Sequence, residues 1–273
     1  MKIGLIGCGR VGVTLCNLIK EKNEIIGVYD IKKRKIEEAE KILGLSKNLA
    51  YEELIKESEV LFFATPDDEI LTAFKRAKRY IKENKFCFHF SGILPAEIFP
   101  KGENIFRGSL HPFATFPRIL IPDKIEKIFI FFQGDNVAYN STKKIFPKRH
   151  FAIKRISRKE KEYWHLIGTF ASNLLVGLAR VVFDLTKRIP GKAQEKMAII
   201  LPIMEQTIQN IKELGLEDAL SGPIVRGDIE TLKKHISLIK KDKKFLNVYR
   251  ILSEYLIASA PYQKRSKIKR ILR

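Results

Sequence analysis

The chain has 273 residues, 45% of them hydrophobic and 30% charged, with a formal net charge of +20; that is enough apolar material for a sizeable core and favours two domains over one. Cys8, Cys16 and Cys87 fit neither a disulfide framework nor a zinc-ligand spacing, so no metal site is expected, and a composition with three methionines is thermophile-like. The basic residues are scattered among glutamates rather than gathered into a motif, which excludes nucleic acid and a membrane surface as expected partners and favours a small anionic ligand; with no signal-peptide layout and no uncharged run of eighteen apolar residues, the expectation is a soluble, cytoplasmic protein.

Residues 2–6, "KIGLI", read as an apolar strand that runs into "GCGRVG" and then into the helical pattern "VTLCNLIKEKN". Strand, G-x-G-x-x-G and helix in that order are the context a dinucleotide fingerprint requires. Gly7 permits the tight turn, Gly9 lets backbone approach a pyrophosphate and Gly12 lets helix pack on strand, with Cys8, Arg10 and Val11 completing the loop. The helix start offers free N–H groups and a positive dipole end to phosphates. A second strand, "EIIGVYD", ends in Asp30, at the spacing of an acidic residue that holds the adenosine ribose of NAD; Lys32, Lys33 and Arg34 follow at once and suit the extra phosphate of NADP, so both cofactors stay open.

The alternation continues with "EVLFFAT" as a third strand, then a helix from Pro66 with acidic residues in its first turn. "KFCFHF", "NIFRGSLHPF", "KIFIFFQGD" and "HFAIKRI" follow as strands four to seven. Strands alternating with helices imply a mainly parallel, doubly wound sheet with its ligand at the carboxyl ends of the strands, where Thr65, Pro66, Ser91 and His111 fall. His89, alternating with phenylalanines, reads as a satisfied core histidine. His111 precedes Pro112 in what reads as an extended loop, and a titrating imidazole there is a candidate proton donor.

After residue 155 the pattern is helical. Ser157 and Glu160 form a capping box that opens a helix running to about Arg188, apolar nearly all round from Trp164 to Phe183 and therefore expected to be central and buried. His165, Thr169 and Asn173 recur on one face of it at i, i+4 and i+8, as an internal network or as a substrate wall. A second long helix, about 192–213, contains Pro202 and is expected to kink there. "SGPIVRGD" then places Arg226 in a loop anchored by Pro223, where a guanidinium suits a carboxylate or phosphate, and Asp228 as N-cap of the next helix. A last helix spans roughly 243–259, and the basic tail reads as a solvated helix end.

The segments "GLIGCGRVG", "ATPDDEI", "HFSGILPAEIF", "SLHPFATF", "FASNLLVGLARVVFDL" and "ALSGPIVRGDIETLKKH", in that order, resemble Rossmann-like oxidoreductases joined to a C-terminal helical domain of unknown function 2520. That group is similar to the wider set of ketopantoate reductase, pyrroline carboxylate reductase and the phosphogluconate dehydrogenase type of hydroxyacid dehydrogenases. The resemblance implies an α/β fold: an N-terminal doubly wound Rossmann domain (1–155) that binds NAD(P), plus an all-helical C-terminal domain (156–273) for substrate and homodimer formation. In the hydroxyacid enzymes a lysine and, four positions later, an asparagine act at the substrate; Asn173 matches the asparagine, but Thr169 stands where the lysine would be.

The expected function is hydride transfer between NADP or NAD and a small anionic carbonyl, imine or hydroxy compound. Gly7, Cys8, Gly9, Arg10, Val11, Gly12, Asp30, Lys32, Thr65 and Pro66 are the expected cofactor residues, Ser91, Thr169, Arg226 and Asp228 the substrate residues, and His111, His165 and Asn173 the catalytic ones. A nucleotide-binding sensor without turnover is the alternative.

Overall fold

Strands built from unbroken apolar runs must be covered on both faces, and seven of them pair into one sheet: β1 (Lys2–Ile6), β2 (Glu24–Tyr29), β3 (Val60–Phe63), β4 (Lys85–His89), β5 (Ile105–Phe113), β6 (Ile128–Gly134) and β7 (Phe151–Arg155). These elements come from a computed structural model that describes residues 1–46, 49–119 and 127–273. The strand order is β2-β1-β3-β4-β5-β6-β7, parallel throughout except that β5 and β6 run antiparallel. Helices α1 (Arg10–Ile19), α2 (Lys33–Leu43) and α5 (Asn136–Ile145) cover one face, where Leu5, Phe62, Phe88 and Phe132 meet Leu15, Ala39 and Ala138. On the other face Leu61, Phe63 and Cys87 pack with Phe74 of α4 (Ile70–Lys78) and Ile55 of α3 (Tyr51–Glu57). The alternation of Leu61, Phe62 and Phe63 between the two cores is the period-two geometry of a strand buried on both sides. The fold is therefore the α/β, doubly wound Rossmann type.

One strand is longer than its sequence suggests. β5 continues through His111 and Pro112, with His111 opposite Phe131 of β6, so His111 is a strand residue and not part of an extended loop. Proline is tolerated here because an antiparallel pair leaves alternate backbone positions outside the ladder.

Met1–Leu174 form one unit and Leu175–Arg273 a second. The sequence suggests a division after residue 155, but α6 (Arg158–Thr169) travels with the sheet. Trp164 stacks on Phe131 at 4.6 Å and meets Phe113 edge-on at 5.5 Å, which fixes the helix to β5 and β6. Ser157 and Glu160 form the expected capping box. Helical structure continues through a π turn, Phe170–Leu174, into α7 (Leu175–Leu185).

The expectation that this long helix is buried all round is not met. Lys161 is the buried residue of α6, which packs on the sheet by one side alone, and α7 has none. By length and composition the stretch Arg158–Arg188 could cross a membrane; its most apolar window has a mean hydropathy of 1.7 and none of it is buried.

In the second unit, α8 (Ala193–Asp218) contains Pro202, yet the backbone leaves helical angles at Gly215, with φ +83°. α9 (Pro223–Arg226), α10 (Ile229–Ile239), α11 (Lys243–Leu256) and α12 (Tyr262–Leu272) follow. The basic tail is α12, and rather than being solvated throughout it buries Ile268 and Leu272 against Ile224 and Leu232, forming a core of its own.

Phe74 is fully buried, 4.6 Å from the Phe99 ring and 5.8 Å from Phe63. Phe74→Ala is expected to lower unfolding free energy by about 3–5 kcal/mol, measured by urea denaturation.

Candidate functional site

The glycines of the fingerprint divide into two kinds. Gly7 has φ +96°, donates to the Tyr29 carbonyl at 2.7 Å, and a Cβ there would lie 2.6 Å from the Ala64 carbonyl carbon. A Cβ on Gly12 would lie 2.6 Å from Ala64 Cβ. Both are required by the chain's own backbone crossing. Gly9 is different: a Cβ there would meet only the Ala64 carbonyl oxygen, at 3.7 Å. Its surface is open, and as N-cap of α1 it has no side chain covering the first-turn N–H groups.

Asp30 is engaged on both oxygens, accepting from Cys8 N and from Lys32 N at 2.9 Å each, with Lys35 Nζ at 4.0 Å. The carboxylate thus locks the fingerprint loop to the end of β2. Arg10 Nη1 donates to the Pro117 carbonyl, and Arg34 pairs with Glu38. Burial and the Asp30 charge push the Cys8 thiol up to about 12, so it stays protonated and inert. Thr65, at the end of β3 beside the Ala64 backbone, has a buried Oγ1 with no hydrogen-bond partner among the described residues. Pro66 opens the short turn Asp67–Glu69. An open glycine, uncapped helix N–H groups and an orphaned hydroxyl fit a dinucleotide's phosphates, so the residues present suit the cofactor that the fingerprint implies.

At the carboxyl ends of β4 and β5 a second group of polar residues converges. His89 is fully buried; its Nε2 donates to the Pro95 carbonyl at 3.2 Å while its Nδ1 accepts from Ser91 N at 3.3 Å. Burial, then the nearby Lys161 charge, push His89 down to about 3, so it is a neutral core histidine. Ser91 Oγ donates to Asp67 at 2.7 Å and accepts from Ile93 N and Leu94 N, which uses its hydrogen-bonding capacity and makes it a brace for this loop.

The residue that sequence reasoning passed over is Lys161. It is 1% exposed, and its Nζ donates to the Ser91 carbonyl at 2.6 Å. Burial pushes the ammonium down to about 8, with Asp67 opposing that shift. A signal existed: Lys161 lies four residues before His165 and extends the His165, Thr169, Asn173 stripe by one turn. Its place between Glu160 and Glu162 disguised it as one charge of a solvated face.

His111 stands beside His165, ring centroids 5.7 Å apart, and a Cβ on Gly92 would collide with His165 and lie 3.0 Å from His111 Cε1. Burial, Lys161 and His165 together push His111 down to about 4. It is therefore neutral at physiological pH, a hydrogen-bonding imidazole rather than the titrating acid the sequence suggests. Both histidines line a cleft of about 340 Å³ with Phe113, Thr115, Thr169 and Asn173. Thr169 Oγ1 donates to the His165 carbonyl at 3.0 Å. Asn173 lies in the π turn; its Oδ1 accepts from Ser172 at 2.9 Å, and its amide nitrogen has no hydrogen-bond partner among the described residues. π turns commonly mark functional positions because they rephase one helical face.

Arg226 and Asp228 lie in the second unit. Arg226 ends the single turn α9, between Gly222 and Gly227, and is exposed. Asp228 caps α10, accepting from Thr231 N at 3.2 Å and Thr231 Oγ1 at 2.7 Å; those bonds hold its carboxyl below the ordinary range. Its structural role as an N-cap is direct.

Comparison with known proteins agrees with this geometry. Residues 2–86 match the family described as NADP oxidoreductase coenzyme F420-dependent, and residues 128–256 match the domain of unknown function 2520. No curated protein matches. Among solved structures, the chain is similar to one from Bacteroides fragilis described as a candidate NADP oxidoreductase, at 18% identity and TM-score 0.76, covering 94% of this chain and 98% of that one. A protein from Thermotoga maritima has 22% identity and TM-score 0.71 with the same coverages. Pyrroline carboxylate reductase from Plasmodium falciparum, solved with NADP bound, has 14% identity and TM-score 0.62 over 100% of this chain and 98% of that one. The chain thus combines an N-terminal region of the NADP oxidoreductase family with a C-terminal DUF2520 domain. Family and fold together support a pyridine-nucleotide oxidoreductase, with NADP or NAD as the cofactor of that class.

His89 and His111 have native values of about 3 and about 4, below the roughly 6.5 of an unfolded histidine. Between those limits the unfolded chain binds protons that the native chain does not, so stability should fall as pH drops from about 6.5 toward 4. Lys161→Met removes a charge that opposes protonation of His111, and the His111 midpoint should rise in an NMR titration; an unmoved midpoint would contradict the electrostatic assignment.

Proposed function

We propose that the chain binds NADP(H) or NAD(H) at the glycine cradle and catalyses hydride transfer to or from a small anionic substrate bearing a carbonyl, imine or hydroxyl carbon. The observation that supports this reading is the presence, in one unit, of an open Gly9 surface beside the orphaned Thr65 hydroxyl and of a polar cleft backed by the buried Lys161. Gly7, Cys8, Gly9, Arg10, Val11 and Gly12 would hold the pyrophosphate, with Asp30 and Lys32 on the adenosine side and Thr65 and Pro66 beside the cradle. The bound nicotinamide would supply or accept the hydride.

The chain's own residues account for the remainder. Lys161 keeps its proton on Nζ at neutral pH, with a value of about 8, and maintains positive charge next to the cleft. That field favours an anionic substrate and an oxygen gaining charge. His111 and His165 stand side by side at the cleft, His111 donating its ring N–H to the Phe90 backbone, while the Asn173 amide and Thr169 hydroxyl oxygen would orient the substrate. Buried and bonded to the Ser91 carbonyl, Lys161 acts on the cleft through its charge rather than in place of a lysine at position 169.

The test is a fluorescence titration with NADPH and, separately, NADH, with Gly9→Asp as control. The open space around Gly9 means that the aspartate should spare the fold while filling the cradle with negative charge. Saturable binding of one or both, lost in the variant, is the expected result, followed by turnover with 2-oxo acids or cyclic imines. Binding with no oxidation by any of them would favour a nucleotide sensor, and no binding at all would end the cofactor reading.

We also propose that a second copy of the chain covers the apolar helices. α8 has no buried residue and exposes Ile199, Ile203 and Leu216 at 75%, 67% and 77%. A membrane suits this surface poorly, because the same helix carries Lys196, Glu205, Lys212 and Glu213. An identical helix can match both its apolar and its charged positions. Light scattering should give the mass of two chains, and Ile203→Glu should shift it to one; a monomeric wild type would refute the proposal.

A further inference from the structure

Arg76, in the last turn of α4, lies over two phenol rings. Its Cζ is 4.3 Å from the Tyr51 ring centroid and 4.8 Å from that of Tyr29, and its Nη1 donates to the Tyr29 hydroxyl at 2.6 Å. The two phenols are themselves 4.5 Å apart at 63°, and Tyr80 meets Tyr51 edge-on at 6.2 Å. Two tyrosines, from β2 and α3, therefore hold the guanidinium, with Tyr80 behind Tyr51, yet the arginine is exposed and has no carboxylate within ion-pair distance among the described residues. A structural cation of this kind usually has a counter-charge; here it has aromatic faces.

The cluster's place in the fold gives it a purpose. Tyr29 is the last residue of β2. Its carbonyl accepts from Gly7 of the fingerprint, and the next residue, Asp30, holds Cys8 N. The strand end that shapes the phosphate loop thus carries the aromatic brace one residue before Asp30, beyond which the adenosine half of a dinucleotide would extend. A planar cation packed over aromatic rings and exposed to solvent offers its open side as a stacking surface for a π-system. We propose that Arg76, braced by Tyr29 and Tyr51, is the platform on which the adenine ring of the dinucleotide stacks. The proposal rests on the cofactor reading above and adds the residue that recognises the base. Lysine would keep the charge and lose the plane, so the two contributions can be separated.

The experiment measures equilibrium binding of NADPH, NADH and reduced nicotinamide mononucleotide, which lacks the adenosine half, to wild type, Arg76→Ala and Arg76→Lys. Stacking predicts that both variants weaken NADPH and NADH alike, by roughly tenfold, and leave the mononucleotide unchanged, with thermal unfolding midpoints near that of wild type. Loss confined to NADPH would place Arg76 on the 2′-phosphate and overturn the proposal. So would equal weakening of the mononucleotide, which marks a structural brace, or full affinity in Arg76→Lys, which marks charge alone. Wild type that binds neither dinucleotide overturns the cofactor reading and this inference with it, whereas wild type that binds both with unaltered variants overturns the inference only.

Discussion

The hydrogen bond from Lys161 Nζ to the Ser91 carbonyl is the contact on which the arrangement of the cleft depends. A nearly fully buried ammonium is costly unless it is hydrogen-bonded, and here it is held by a backbone oxygen that has no alternative position. Ser91 is fixed in turn by Asp67 and by two backbone N–H groups of its own loop, so the lysine is anchored to β4 through a chain of satisfied polar atoms. One consequence is mechanical: α6 is drawn against the sheet end, where Trp164 completes the contact with Phe131. The other is electrical, since the same charge adds to burial, the larger cause, in keeping His89 and His111 neutral.

The cradle follows a parallel logic. Ala64 is the pivot, approached so closely by positions 7 and 12 that only glycine fits either, and it passes the chain directly to Thr65 with its unpartnered hydroxyl. Buried hydroxyls usually have partners, and this one lies beside the open Gly9 surface. The fingerprint thus contains two glycines that the chain's own packing requires and one, Gly9, whose surface is open.

The first domain was largely legible because its signals are local: apolar strands of five residues, turns with glycine at obligatory positions, and a capping box whose two partners are three residues apart. The fingerprint glycines share that advantage, since Gly7, Gly9 and Gly12 lie in one turn. The cleft was less legible because its members meet across the sheet. His111 looks like a loop residue from its proline neighbour, and only pairing with β6 shows it to be in a strand. Ser91 looks available until its three hydrogen bonds are seen. Lys161 has the sequence environment of a surface charge, and its burial depends on β4, seventy residues away. The long helix was misread for a related reason: hydrophobicity records that a surface needs covering, not which molecule covers it.

The position of Lys161 also changes how the departure from the hydroxyacid pattern should be understood. Residues 161 and 169 are two turns apart, about 12 Å along the helix axis, so Lys161 cannot place its ammonium where a lysine at 169 would. Thr169 instead returns its hydroxyl hydrogen to the helix, and Asn173 sits in a π turn that alters the phase of the face it shares with His165. The buried ammonium lies toward the strand ends, and Thr169 and Asn173 follow it along the helix. A cleft graded in this way carries its charge near the end of β4 and uncharged lining such as Ala171 farther along the helix, so polarity along one helix distinguishes its two ends.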